Sequence, residues 1–334
     1  MLTNILVQPG VIELLETERP CPSDGELLVK VKAALTCGTD LKAFRRGHPV
    51  IPMPGVFGHE FSGVVAGIGK GVRKFGEGDE IMAVHSAPCL ECGYCGKRLY
   101  NLCEHIMDKK VLGAFAEYIL LPSHIVKQNV FLKPKNISFE EAAFLEPLSC
   151  VVHGMASLNI VKGDHALIIG AGPIGLLHLL LLKEKGAKVT ILDKHKNKLK
   201  TAKNLGADFI YKVIEKQIPR LTGFDYVFEC TGIPEVWEAS VNYVRRGGAV
   251  VLFGGCKSGT TVTYDTCRLH YDEITLKGVF HFTPDDVRKA YALLCIGKLD
   301  VSRLISGRYS LKNTSKAFGK LSKGIGIKYA IIPL

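Results

Sequence analysis

Cys89-x-x-Cys92-x-x-Cys95, completed by Cys103 after seven intervening residues, offers four thiols that could surround one Zn²⁺ tetrahedrally. Four sulfur ligands leave no open position, so such a site is structural, a staple for a lobe with little core of its own. A second group, Cys37, His59, Glu60 and Glu146, has the donor types of a catalytic zinc site, where three protein ligands leave room for water or substrate. Their spacing is irregular, and for each one a plain core role is an equal reading.

A third group could hold phosphate. Gly170-Ala171-Gly172-Pro173-Ile174-Gly175 follows the apolar run 166–169 directly and opens a Leu-rich segment over 174–185. A further apolar run, 187–192, ends on Asp193, eighteen positions past Gly175. This order predicts strand, turn, helix, strand and acid in one βαβ unit. Gly170 permits the tight turn, Gly172 lets the backbone approach a pyrophosphate, and Gly175 lets helix and sheet pack closely. The free N–H groups of the helix start face the phosphates. A carboxylate at Asp193 accepts from the adenosine ribose hydroxyls and repels the extra phosphate of NADP, so NAD is the expected cofactor and NADP the less favoured one.

These groups need scaffolds of two kinds. Residues 1–35 carry apolar segments at 5–7 and 27–31 broken by Pro9-Gly10 and by 20–25, which predicts strands. Dense glycine from 63 to 78 and an apolar stretch at 80–84 suggest a β-barrel or sandwich. After the glycine turn, strands are expected at 224–229 and 249–253 with a helix over 236–245 between them, extending a doubly wound parallel sheet to about residue 280. A helix over 285–295 and a strand over 329–332 then return to the first domain.

The chain has 334 residues, enough for two domains, with 47% hydrophobic and 22% charged residues, the balance of an ordinary globular protein. Its formal charge of +11 raises nucleic acid as a partner. The basic run Lys194, Lys196, Lys198, Lys200 and Lys203 comes without a nucleic-acid-reading motif, however, and reads as a solvated helix face beside an anionic cofactor. No secretory start and no membrane-length apolar segment is visible, which leads to the expectation of a cytoplasmic protein with no membrane partner. Eleven cysteines in that setting point to metal rather than disulfides.

Taken together, the motifs resemble the zinc-dependent medium-chain dehydrogenase/reductase family, most of all its sorbitol (polyol) and threonine dehydrogenase branch. The likeness spans Cys-Gly-Thr-Asp (37–40), Gly-His-Glu (58–60), the cysteine lobe (89–103), Gly-Ala-Phe-Ala-Glu-Tyr (113–118), Glu-Pro-Leu-Ser (146–149), Gly-Ala-Gly-Pro-Ile-Gly (170–175), Phe-Glu-Cys-Thr-Gly (228–232) and the glycine-rich 247–255. It implies a GroES-like β-rich catalytic domain over 1–149, with a structural zinc lobe at 88–104. It further implies a Rossmann NAD-binding domain over 150–280 and a C-terminal return to the catalytic domain over 281–334. It implies two zinc ions per chain, one structural and one catalytic. Cys37, His59 and Glu60 match the catalytic ligands, and Glu146 matches a glutamate bound directly or through water. Thr39 matches the hydroxyl residue that bonds the reacting oxygen, Lys198 a basic residue beside the adenosine ribose, and Thr231 with Gly232 the loop near the nicotinamide ribose. Family members are homodimers or homotetramers.

Two positions depart from the branch. Lys42 stands where a proton-carrying histidine is usual; it could relay protons, attract an anionic group such as a phosphate, or be a solvated surface lysine, and the last reading is preferred. His281 stands where polyol enzymes often carry a substrate-facing arginine. The expectation is an NAD-dependent zinc oxidoreductase acting on a secondary alcohol or its ketone, a polyol or a related small hydroxy compound. Threonine 3-dehydrogenase-like and sugar-alcohol-phosphate activities are the alternatives. A non-catalytic nucleotide-binding protein and a zinc-ribbon nucleic-acid binder are the readings from other classes.

Overall fold

The structure is a computed structural model and describes residues 1–213 and 221–333. The chain forms two compact units, one of Met1–Val152 together with the chain from His281 onward, the other of His153–Phe280.

The second unit is a six-stranded sheet in which every pair is parallel. Its strands, in chain order, are His165–Ile169, Lys188–Asp193, Phe209–Lys212, Phe224–Glu229, Val244–Leu252 and Thr275–Gly278. Across the sheet they lie third, second, first, fourth, fifth, sixth. The order therefore reverses between the first and fourth strands, the position at which open α/β sheets bind ligands beyond their strand ends. Inner strands are rich in apolar residues because both faces are covered: Leu167, Ile168, Val189, Ile191, Val227 and Phe228 are all fully buried. The helix Pro173–Glu184 starts with proline, which fits the first helical turn, and Gly186 at φ +77° follows its end. It buries Leu176, Leu177, Leu179 and Leu182 on several sides, as expected for a helix packed deep in a domain.

One expected element is shorter than its sequence suggests. The helix predicted over 236–245 spans only Pro234–Ser240, and Val244 and Arg245 already belong to the next strand, with Val244 opposite Phe224. Gly247-Gly248 looks like a strand breaker but lies in a register irregularity, since Phe224 pairs with Val244 while Tyr226 pairs with Ala249. Gly247 takes φ +67° there, so the strand bulges and continues.

The first unit is built on a larger, mainly antiparallel sheet around the strand Leu27–Leu35. That strand pairs with Glu60–Ile68, with Tyr118–Leu121 and, at its far end, with Lys328–Ile332. Phe57, Phe61, Phe115 and Phe318 are fully buried in its core, and the Phe57 and Phe115 rings meet edge-on at 4.8 Å. The return segment thus supplies both core and a sheet strand.

Candidate active site

The first helix of this unit, Gly38–Arg46, begins at Cys37, whose sulfur accepts from the Thr39 N–H at 3.4 Å. Asp40 reaches back from the third helical position to accept from the Cys37 N–H at 3.3 Å, a reciprocal cap that fixes the sulfur at the helix's positive end. The other Asp40 carboxylate oxygen lies 3.4 Å from Nδ1 of His59, which leaves Nε2 as that ring's donor to a cation. Glu60 begins the neighbouring strand. Donor atoms of Cys37, His59 and Glu60 all lie within 4.8 Å of one another.

Glu60 is fully buried and ion-paired through Oε2 to Lys328, which also donates to the Thr36 carbonyl at 2.8 Å. Its second oxygen, Oε1, is buried with no hydrogen-bond partner among the described residues. An unpaired buried carboxylate oxygen is costly, and a divalent cation beside a cysteine and a histidine satisfies it. The residues therefore fit zinc. Burial lowers the His59 pKa, but Asp40 and Cys37 outweigh it, and the net shift is well upward. Burial raises Glu60 against the opposing pull of Lys328 and His59.

Glu146 lies outside this trio. It occupies the first turn of the helix Leu145–Met155, with Oε1 3.5 Å from Nδ1 of His85. Burial, opposed by His59 and reinforced by Glu60, pushes its carboxyl up to about 7. His85 is itself buried between rings, 4.9 Å from His59 and 5.3 Å from His281. His281 pairs with the Ser86 hydroxyl at 2.6 Å and adopts φ +62°, unusual for a residue with a side chain. Thr39 is half-buried two residues after Cys37, and Lys42 is half-buried on the same helix rather than fully solvated.

Cys89, Cys92, Cys95 and Cys103 also gather with their sulfurs within 4.8 Å of one another. Backbone N–H groups of Glu91 and Cys92 both donate to the Cys89 sulfur at 3.4 Å, and that of Cys89 donates to Cys103 at 3.3 Å. Such bonds favour thiolates. The small cluster around them contains Ile106, Tyr100 and Met107, little core for a lobe of this length.

In the second unit, Gly172 caps the Pro173–Glu184 helix without a side-chain bond, and a Cβ added there would meet no atom within 4 Å. A Cβ on Gly175 would fall 2.0 Å from the Gly170 carbonyl oxygen. One glycine leaves an open cradle at the helix start, where Ile174 follows Pro173 in the first turn; the other allows the close packing beneath it. The Asp193 carboxylate ends the second strand and accepts from the N–H groups of Ala171 and His195, each at 2.7 Å. Lys198 is half-buried on the following helix, Lys196–Asn204. Thr231 follows the fourth strand, and its methyl group lies 3.0 Å from where a Gly170 Cβ would be. This cradle fits the pyrophosphate of a dinucleotide.

Four residues of these sites have no role assigned from the sequence: Asp40 and the buried Glu229, which lie inside the motifs, and His85 and Lys328, which lie outside them. Only Asp40 could have been found, from its capping-box spacing to Cys37.

The family model described as zinc-binding dehydrogenase matches residues 173–295, and that described as alcohol dehydrogenase GroES-like domain matches residues 23–131. A D-arabitol-phosphate dehydrogenase of Enterococcus avium is 32% identical over 97% of this chain and 95% of its own. A sorbitol dehydrogenase of Halalkalibacterium halodurans is 29% identical over 100% of both chains. A solved structure described as a zinc-binding dehydrogenase of Sinorhizobium meliloti, bound to NADP, is 29% identical with a TM-score of 0.88 over 99% of each chain. With both units and both donor clusters described, the chain belongs to the zinc-dependent medium-chain dehydrogenases, in the sorbitol and threonine dehydrogenase-like branch. It is an oxidoreductase that works with zinc and a nicotinamide cofactor on a small-molecule alcohol, and its fold is a GroES-like domain with a Rossmann-type parallel sheet. Among the described residues no helix is long and apolar enough to cross a membrane.

Proposed function

We propose that this protein is an NAD-dependent dehydrogenase of a secondary hydroxyl on a polyol or its phosphate. The observation that carries the reading is the orphaned Oε1 of Glu60 beside Cys37 and His59. These three hold the catalytic zinc, with Glu146 joining directly or through water. The cysteine quartet holds a second, structural zinc, giving two per chain. Bound zinc supplies Lewis acidity to the substrate oxygen, and bound NAD supplies the hydride acceptor.

The protein's own groups do the rest. Thr39 accepts the hydroxyl proton and passes it outward, with Lys42 on the same helix face as one route. Asp40 locks the His59 ring, and Lys328 holds one Glu60 oxygen so that the other stays aimed. Gly170, Gly172, Pro173, Ile174 and Gly175 cradle the pyrophosphate, while Asp193, Lys198 and Thr231 contact the riboses. NAD is preferred because Asp193, anchored at both oxygens, places a fixed anion where the extra phosphate of NADP would sit.

The half-buried Lys42, followed by Arg45 and Arg46, favours a phosphorylated polyol as the second substrate reading. Free thiols throughout the described residues support a reducing, cytoplasmic setting, and a homodimer or homotetramer follows from the family. Reduction of NAD at 340 nm across sorbitol, arabitol, threonine, simple secondary alcohols and phosphorylated polyols tests the reading. No turnover of any of them by zinc-loaded protein would sink it.

A further inference from the structure

The carboxylate of Glu229 is fully buried at the end of the fourth strand of the parallel sheet, and its hydrogen bonds go to one short loop. Its Oε1 accepts from the Thr231 N–H at 2.6 Å, from the Thr231 hydroxyl, and from the Gly232 N–H at 3.2 Å. Its main-chain oxygen accepts from Phe253 and Gly254, each at 3.0 Å, at the end of the fifth strand. A Cβ on Gly254 would fall 2.7 Å from Glu229 Oε2 and 2.2 Å from the Gly232 nitrogen. Trp237 closes the arrangement by donating to the Gly254 carbonyl at 2.9 Å. One buried residue therefore joins the loops that follow two adjacent strands, by its side chain to one and its main chain to the other. Burial raises its pKa while these donors oppose the rise. Burying a carboxylate without a cation is expensive, and here the cost is offset by bonds from the Thr231–Gly232 loop and from Trp237.

The sheet order says what the loop faces. The pyrophosphate cradle stands at the end of the first strand, and Asp193 ends the second, on one side of it. The fourth strand flanks the first on the other side, and the Thr231 methyl lies 3.0 Å from where a Gly170 Cβ would be. A dinucleotide with its adenosine half over Asp193 must extend its other half toward Thr231 and Gly232. We infer that Glu229 is the positioning residue for the nicotinamide half of the cofactor, acting through Thr231, Gly232 and Gly254 without touching it. This rests on the dinucleotide reading given above.

The test compares NAD⁺ with ADP, which lacks both the nicotinamide and its ribose, by calorimetric titration of the zinc-loaded protein. Glu229→Gln turns an amide NH₂ or a weaker acceptor toward three donors. The expected result is a loss on the order of tenfold in NAD⁺ affinity, the equivalent of one charge-assisted hydrogen bond, with ADP affinity held within about twofold. Equal loss for both ligands, or no loss for NAD⁺, overturns the positioning role. Should Glu229→Gln fail to fold, Glu229→Asp keeps the charge but draws the carboxylate back from the same donors. The same split is then expected, and its absence counts against the inference in the same way. Wild-type protein that bound neither ligand would overturn the dinucleotide reading and this inference with it.

Discussion

Lys328 and Glu60, 268 positions apart, form an ion pair in which both side chains are about 1% exposed. Removing one member of such a pair strands the other charge, which costs more than the pair contributes. Lys328→Met, assayed on metal-stripped protein by urea unfolding, is expected to lower stability by about 3–5 kcal/mol. Adding Glu60→Gln should recover much of that loss. A Lys328→Met variant as stable as wild type would show the pair to be idle.

Metal content separates the two donor clusters. Cys37→Ser should retain one zinc per chain and lose turnover by about 10³-fold or more, the scale of several kcal/mol of Lewis-acid stabilisation. Cys95→Ser should lose the other zinc and melt at lower temperature, since its lobe has so little core. Elemental analysis reads both; loss of both zinc ions in either variant would mean that the sites are not independent.

His178 gives a pH prediction. It is fully buried against Phe228, at 4.6 Å, and Phe253, with neither ring nitrogen hydrogen-bonded. Burial holds its pKa at about 3, against 6.5 when exposed. Between those values the unfolded chain takes up a proton that the folded one refuses, so stability falls as pH drops from 6.5 toward 3. His178→Leu should be more stable at pH 7 by about 1–3 kcal/mol, the cost of burying a polar group without partners, with the gap widening at pH 5. Thermal melts at both pH values decide it; a gap that narrows toward acid contradicts the assignment.

On the proposed reading, cofactor choice turns on Asp193. Asp193→Ser keeps a short polar group near the Ala171 and His195 N–H donors but removes the anion. Efficiency with NAD should fall by roughly 10–100-fold, the worth of one or two charged hydrogen bonds, while efficiency with NADP rises. Initial-rate kinetics with both cofactors measure this, and an unchanged NAD/NADP ratio would refute the role given to Asp193.

Much of this architecture could be read from local spacing. The glycine turn, the acid ending the next strand and the cysteine quartet are each encoded within thirty residues or so, and the pattern of chain and contact coincide there. Cys37 and Asp40 likewise meet by the three-residue step of a helix cap. His85 and Lys328 carry no local cue because their partners, Glu146 on a helix and Glu60 on a strand, are met across long sequence separations, for which no periodicity exists. The helix over 236–245 was drawn too long for the opposite reason. A local cue, the Gly247-Gly248 pair, masked a strand that tertiary pairing carries through a bulge. Lys42, expected on a solvated face, is half-covered, which apolar patterning of one short helix did not disclose.

The His153–Phe280 unit is inserted within the chain of the other, so the strand bearing Glu60 leaves the ribosome well before the strand bearing its counter-ion. During that interval the nascent first unit carries a carboxylate with no lysine to meet it, and its central strand lacks one neighbour. The Glu60–Lys328 pair and the last neighbour of the central strand therefore form only at the end of synthesis, after the intervening unit has had time to fold by itself.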